Sequence, residues 1–234
     1  MVRRGDDRAV TRHEGCEARH GFSFGAHYDP ANTFFGALLA HNDERLEPGA
    51  GYPTHTHHEA DLVTWVVAGE LRHTDSLGNA VTVRPGTVQV LAAGTGVEHA
   101  EYGPARFVQS WLVPDALAEP TLHSRDVSAA LATGRPVLVA AGARTAEGAD
   151  SAPAADPLPL RRADAALWAA RLPGGGTWEL PTAPFVHVYV TTGSAAGLGE
   201  GDELRLTATP FTLTAGARGA EVLVWVMGSD LRPA

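Results

Sequence analysis

HTHHEADLVTWVVAGELRHTDSLGNAVTVRPGTVQVLAAGTGVEHAE, residues 55–101, is the stretch whose reading decides the fold. It opens with His55-Thr56-His57-His58 and closes with His99-Ala100-Glu101. Between these ends it reads as strand, turn, strand, turn, strand. In a strand, residues i and i+2 point to one face. His55 and His57 therefore aim two imidazoles at one point, and His99 and Glu101 can do so from a second strand. The ends read as two rims of one small β-barrel brought face to face. Three neutral nitrogens and one carboxylate suit a borderline divalent ion: Fe(II), Ni(II), Cu(II), Mn(II) or Zn(II). The lone Cys16 rules out a four-thiolate zinc site.

Working outward, Leu62 to Leu71 is apolar and β-branched, which favours a buried strand over a helix. Asp75 to Asn79 is a turn joining Arg72 to Val81 as a hairpin. Val88 to Leu91 and Phe107 to Val113 read as further strands, and Gly94-Thr95-Gly96 permits the bend that delivers His99. Upstream, Met1 to Gly21 is a polar arm or edge strand, and Phe35 to His41 is a strand. Downstream, Asp126 to Thr133 is a short helix, and Ala140 to Pro159 has the composition of a linker or long loop. Strands are expected again at 165–172, 177–180, 186–190, 204–207, 211–214 and 222–227. Gly69 and Gly193 close similar apolar strands 124 positions apart, a weak internal repeat. That offset carries His55 and His57 to Glu179 and Pro181. The offset of 122 between Gly94 and Gly216 carries His99 and Glu101 to Glu221 and Leu223. The second half is thus expected to keep a barrel without the metal ligands.

With 234 residues, 44% hydrophobic and 19% charged, the chain can bury a substantial core. A net charge of −9 disfavours binding to nucleic acid or an anionic membrane. One cysteine, no signal-peptide pattern and no long apolar run fit a cytoplasmic protein.

Phe22-Ser23-Phe24 through Tyr28-Asp29-Pro30, Pro48 through His57, Asp75 through Asn79 and Ala93 through Tyr102 together resemble the pirin family of bicupins. The resemblance covers roughly residues 20–113 and is mainly architectural from residue 160 onward. It implies an all-β chain of two tandem cupin, jelly-roll-like β-barrels. The boundaries are a metal-binding barrel over 1–120, helix and linker over 121–160, and a second barrel without ligands over 161–234. It implies one divalent metal, with Fe(II) the first choice, on His55, His57, His99 and Glu101. Thr56 and His58 stand where the family has proline and a basic residue, and Asp61 where glutamate is commoner. Some members resemble quercetin 2,3-dioxygenases, which open a flavonol with O2 and release carbon monoxide; others are metal-dependent regulators.

Two functions are carried forward. One is a dioxygenase acting on a flavonol or related enediol, with Glu101 as ligand and base. The other is a redox-responsive protein-interaction module. The expected partners are a small aromatic or enediol substrate and O2, with a protein partner in the second case, on a monomeric chain. His41, His73, His123 and His187 have no partner at ligand spacing and are read as structural or exposed. Trp65 and Trp111 are read as core, His58 and Glu98 as pointing away from the pocket, and Glu59 and Asp61 as carboxylates at the surface or just behind the ligands.

Overall fold

A computed structural model of the chain describes residues 1–146 and 156–231. Its strands form three sheets of nine, four and seven strands. The seven-stranded sheet lies at the centre. Its strands Asp61–Gly69 and Ala105–Leu112 pair antiparallel and alternate strictly between two apolar environments. Val63, Trp65, Val108 and Leu112 join Leu167, Tyr189 and Trp225 of the nine-stranded sheet in one core. Val66 and Phe107 face the other way and pack on Leu71 and Val83 of the four-stranded sheet. A sheet buried on both faces reads as a continuous apolar run, which is what Leu62 to Val67 shows. A separate core, with Val188, Val222 and Leu213, fills the C-terminal lobe.

The chain's ends cross between lobes. Val2–Arg3 pairs with Glu203–Leu206 in the nine-stranded sheet. Thr121–Asp126 is the edge of the seven-stranded sheet, while Val137–Ala141 pairs with Ala165–Leu172 in the nine-stranded one. The expected helix is a single turn, Ser128–Leu131. Part of the expected linker forms the strand Val137–Ala141 and the helix Ala143–Ala146; residues 147–155 of it lie outside the described residues.

Three sequence expectations are corrected. The polar N-terminal arm contains a hairpin, Ala9–His13 with Cys16–His20, turned through Glu14-Gly15 with both residues at positive φ. Its polar residues belong to an edge strand that faces solvent. The strand expected over 35–41 runs from Leu38 to Leu46. The strands expected over 211–214 and 222–227 are one continuous strand, Thr212–Met227. Between Ala215 and Ala220 its pairing shifts register, from Ala195↔Ala215 to Gly193↔Ala220.

The repeat is real, but its register differs from the one read in sequence. Gly69 and Gly193 both sit at positive φ, 75° and 76°. A Cβ at either would meet a carbonyl oxygen, of Pro104 or Gly219, at 2.3 Å. These are the matching points where each lobe's strands cross tightly. Pairing then aligns His55 with Thr177 and His57 with Glu179, because His99↔His55 and Val97↔His57 match Thr214↔Thr177 and Thr212↔Glu179. The counterparts of His99 and Glu101 are accordingly Thr214 and Gly216. Glu221 instead serves the lobe interface, where its carboxylate accepts from Trp65 Nε1, Thr191 Oγ1 and Arg171 Nε at 2.9, 2.9 and 2.6 Å.

Candidate metal centre

The four-stranded sheet runs Gly51–His57, Val97–Tyr102, Leu71–Asp75, Ala80–Val83. Its first two strands pair antiparallel, placing His99 opposite His55. Beyond that pair the register shifts, and Glu101 faces Tyr52. His55, His57 and His99 converge, with ring centroids 4.4–5.0 Å apart. One ligand nitrogen from each lies within 4.8 Å of the other two. Glu101 forms a second group on the same criterion with His99 and His73, so His99 is common to both.

Each side chain is oriented. The His55 ring is tied through Nδ1 to the Pro53 carbonyl at 2.8 Å, which leaves its Nε2 free. His99 is buried, and its Nε2 meets no hydrogen-bond partner among the described residues. A buried, unmatched imidazole nitrogen beside two more imidazoles is the feature a bound cation would satisfy. Glu101 is buried and accepts from Gln109 Nε2 at 3.1 Å; Trp111 Nε1 donates to Gln109 Oε1 at 2.9 Å and fixes the amide's orientation. Burial raises the Glu101 carboxyl, but contacts with His73, His99 and Gln109 outweigh it and hold the group below the usual carboxylate range. A site drawing on both groups would offer three imidazoles and the ionised Glu101, a donor set that fits a divalent transition metal.

His73, read as structural or exposed, and Trp111, read as core, both stand beside the cluster. His73 is buried beside the cluster, its Nδ1 3.4 Å from His99 Nδ1 and 3.9 Å from Glu101 Oε1. Trp111 is half-buried, edge-on to His57 at 4.8 Å, and itself contacted by Phe24 at 5.3 Å. The signal for His73 lies in His73-Thr74-Asp75, the i, i+2 spacing that marks the ligand pairs, on a strand whose hairpin partner was already legible. Trp65 is core. His58, Glu59 and Glu98 are exposed, and His123 also faces solvent. Asp61 is buried at the lobe interface, where Oδ2 accepts the Arg161 backbone N–H at 2.7 Å. His41 and His187 are buried together there, rings 4.6 Å apart. A cleft of about 580 Å³ is lined by residues 12–17 and 45–47 and by none of the cluster.

Burial, followed by repulsion from neighbouring imidazoles, pushes His57 and His99 down to about 4, against the attraction of Glu101. Both are neutral at pH 7 and ready to ligate. The unfolded chain takes up these two protons from about pH 6.5 downward, the fold only near 4. The metal-free fold therefore loses stability as pH falls through that window, and bound metal opposes the loss. Nickel titrations across pH are expected to show affinity falling steeply on acidification, with His57 and His99 themselves taking up protons only near 4. An affinity unmoved by acidification would contradict a site built on imidazoles.

The Pirin family pattern matches residues 3–112. A Mycobacterium tuberculosis protein, provisionally named a quercetin 2,3-dioxygenase, is 39% identical over 241 residues, covering 98% of this chain and 96% of the relative. The chain belongs to the pirin family. The quercetin 2,3-dioxygenase of Escherichia coli K12 is 36% identical over 119 residues, 49% of this chain and 52% of that one. The crystal structure of the E. coli pirin YhhW in complex with nickel(II) superposes with a TM-score of 0.84 at 26% identity, over 99% of both chains. The expected all-β fold is that of the family. No helix among the described residues is long and apolar enough to cross a membrane.

Proposed function

We propose that this pirin-family chain is a metal-dependent dioxygenase that opens a flavonol or related enediol with O2. The observation that carries the reading is the buried, unpartnered Nε2 of His99 facing His55 and His57, with the ionised Glu101 alongside. His55, His57, His99 and Glu101 are the proposed ligands. A divalent ion held there, Fe(II) first and Ni, Cu, Mn or Zn as alternatives, supplies Lewis acidity and a template for substrate and O2. Glu101 takes the proton of the substrate's enol hydroxyl, its carboxylate kept charged by Gln109. Trp111, edge-on to His57 and backed by Phe24, offers an aromatic flank to a planar substrate. The relatives' quercetinase names support the reaction class. The C-terminal lobe supports the first through the shared core, and a cytoplasmic setting suits the single buried thiol.

The test couples stoichiometry to turnover. Elemental analysis is expected to give one metal per chain, because the aligned positions of the second lobe, Thr177, Glu179, Thr214 and Gly216, offer one carboxylate and no imidazole. Oxygen uptake by the metal-loaded protein is expected with at least one member of a flavonol and enediol panel. Two tightly bound ions would place a second centre in the other lobe. One ion with no oxygen uptake on any substrate would move the assignment to a metal-dependent interaction protein.

A further inference from the structure

The strand Leu71–Asp75 lies against Val97–Tyr102 without any register shift, so Asp75 stands directly opposite His99 and His73 directly opposite Glu101. Cross-strand neighbours share a face. Two buried polar side chains thus back the proposed ligands from the neighbouring strand.

Asp75 is fixed by its own turn. Its Oδ1 accepts the backbone N–H groups of Leu77 and Asn79, each at 3.0 Å, and its Oδ2 accepts from Asn79 Nδ2 at 2.9 Å. Burial raises the Asp75 carboxyl, yet these donors and His73 hold it below its usual value, so it carries no proton to give. The 3.2 Å contact between Asp75 Oδ2 and His73 Nε2 therefore has the imidazole as donor. Burial lowers the His73 imidazole, but Glu101 and Asp75 outweigh it and raise it above its ordinary value; in the neutral form, reached in mildly alkaline solution, the other nitrogen, Nδ1, is the lone-pair site. Two groups stand within reach of it: the Gln89 amide nitrogen, a donor, at 3.5 Å, and His99 Nδ1 at 3.4 Å. Glu101 Oε1, at 3.9 Å, is beyond hydrogen-bond distance. A nitrogen facing a nitrogen needs one hydrogen between them. With His73 accepting, that hydrogen sits on His99 Nδ1, and His99 Nε2 is bare. His99 Nε2 is also the atom left buried without a partner.

We infer that His73 is a positioning residue: anchored by Asp75, it accepts the Nδ1–H of His99 and so sets the tautomer that offers His99 Nε2 to a metal ion. The inference rests on the metal-centre reading for its purpose, but not for its geometry. A free histidine side chain favours the opposite tautomer, with hydrogen on Nε2, which would block ligation. An Asp–His–His chain reverses that preference before any metal arrives, as carboxylate and carbonyl acceptors do behind other metal-bound histidines.

The test reads the tautomer and the affinity separately. Nitrogen NMR of the His99 ring in the metal-free protein at about pH 9, where His73 is neutral, is expected to show hydrogen on Nδ1. His73→Phe keeps the ring volume and removes the acceptor; it is expected to shift His99 towards the Nε2–H form. Nickel affinity, measured by chelator competition, is expected to fall about 10- to 100-fold in His73→Phe and to a similar extent in Asp75→Asn. His73→Gln can place a carbonyl oxygen near the lost nitrogen, and is expected to recover part of the affinity. Thermal unfolding of the metal-free variants separates a folding defect from a ligand defect. If His73→Phe does not fold, the wild-type tautomer still decides. Hydrogen on Nε2 of His99 in the wild type overturns the inference, as does undiminished nickel affinity in a folded His73→Phe. A wild type that binds no nickel, yet shows the Nδ1–H form, would sink the metal reading and leave the relay standing.

Discussion

Glu101→Gln is expected to retain part of its metal and to lose turnover per bound ion by about 10²-fold or more, the usual scale for a positioned base. The substitution keeps the side chain's size and one carbonyl oxygen. That oxygen can still accept from Gln109 Nε2, which lies 3.1 Å from Oε2 in the wild type. Gln109 is itself held by the Trp111 indole N–H, so its orientation does not depend on the charge at 101. What disappears is the negative charge and the capacity to take a proton. His55, His57 and His99 remain to hold an ion, more weakly. Oxygen consumption normalised to metal content isolates the chemical step from occupancy. His57→Ala is the contrasting variant, expected to lose metal and activity together. Unchanged turnover per ion in Glu101→Gln would remove Glu101 from the chemistry and leave it a ligand only.

What was legible in the sequence follows from what is local. His55-x-His57 and His99-x-Glu101 share a face because strand alternation is a property of the backbone, and the turns at Pro48–Gly51 and Asp75–Asn79 bound the strands that carry them. The burial of the strand through Leu62 to Val67 was equally visible in its apolar, largely β-branched composition. Register between strands was not legible in this way. It puts His73 opposite Glu101 and Asp75 opposite His99, and no composition or period announces it. A one-residue change there would have turned both groups out of the pocket. The same limit displaced the repeat: constant offsets ignore shifts such as those between Arg106 and Phe107 or Val190 and Thr192. Trp111 packs against a core cluster, as an indole in an apolar strand is expected to, and its place beside His57 was not legible. Only its Nε1–H bond to Gln109 and its edge on His57 show that it borders the cluster.

The interface between the lobes carries the other large expected effect. Its centre is Glu203, whose side chain is fully buried. Arg8 Nη2 lies 2.5 Å from one carboxylate oxygen and Arg205 Nη2 2.6 Å from the other; His187 Nε2 adds a 3.3 Å contact. Arg8 comes from the chain's beginning and Arg205 from near its end, so one carboxylate joins the two. Arg8 also lies over the Tyr189 ring, whose hydroxyl donates to Asp43 in the first lobe's sheet. Glu203→Gln leaves two buried guanidinium groups without their counter-charge, and a broken buried pair of this kind costs about 3–5 kcal/mol. Urea unfolding at pH 7 is expected to show a loss of that size. Glu17→Gln, which breaks the more exposed contacts to Arg12 and Arg19, is expected to cost at most about 1 kcal/mol. The pH dependence gives an independent check. Burial raises the Glu203 carboxyl, but His187, Arg8 and Arg205 outweigh it and hold the group far below the usual carboxylate range. A depressed folded value means that its stabilisation is complete above the unfolded value, near 4.5, and is lost as pH falls below it. The gap between wild type and Glu203→Gln is therefore expected to be widest near neutrality and to narrow below about pH 4.5. A gap under about 1 kcal/mol at pH 7, or one that widens in acid, would show that the arginines find other partners and that the apolar core alone holds the lobes together.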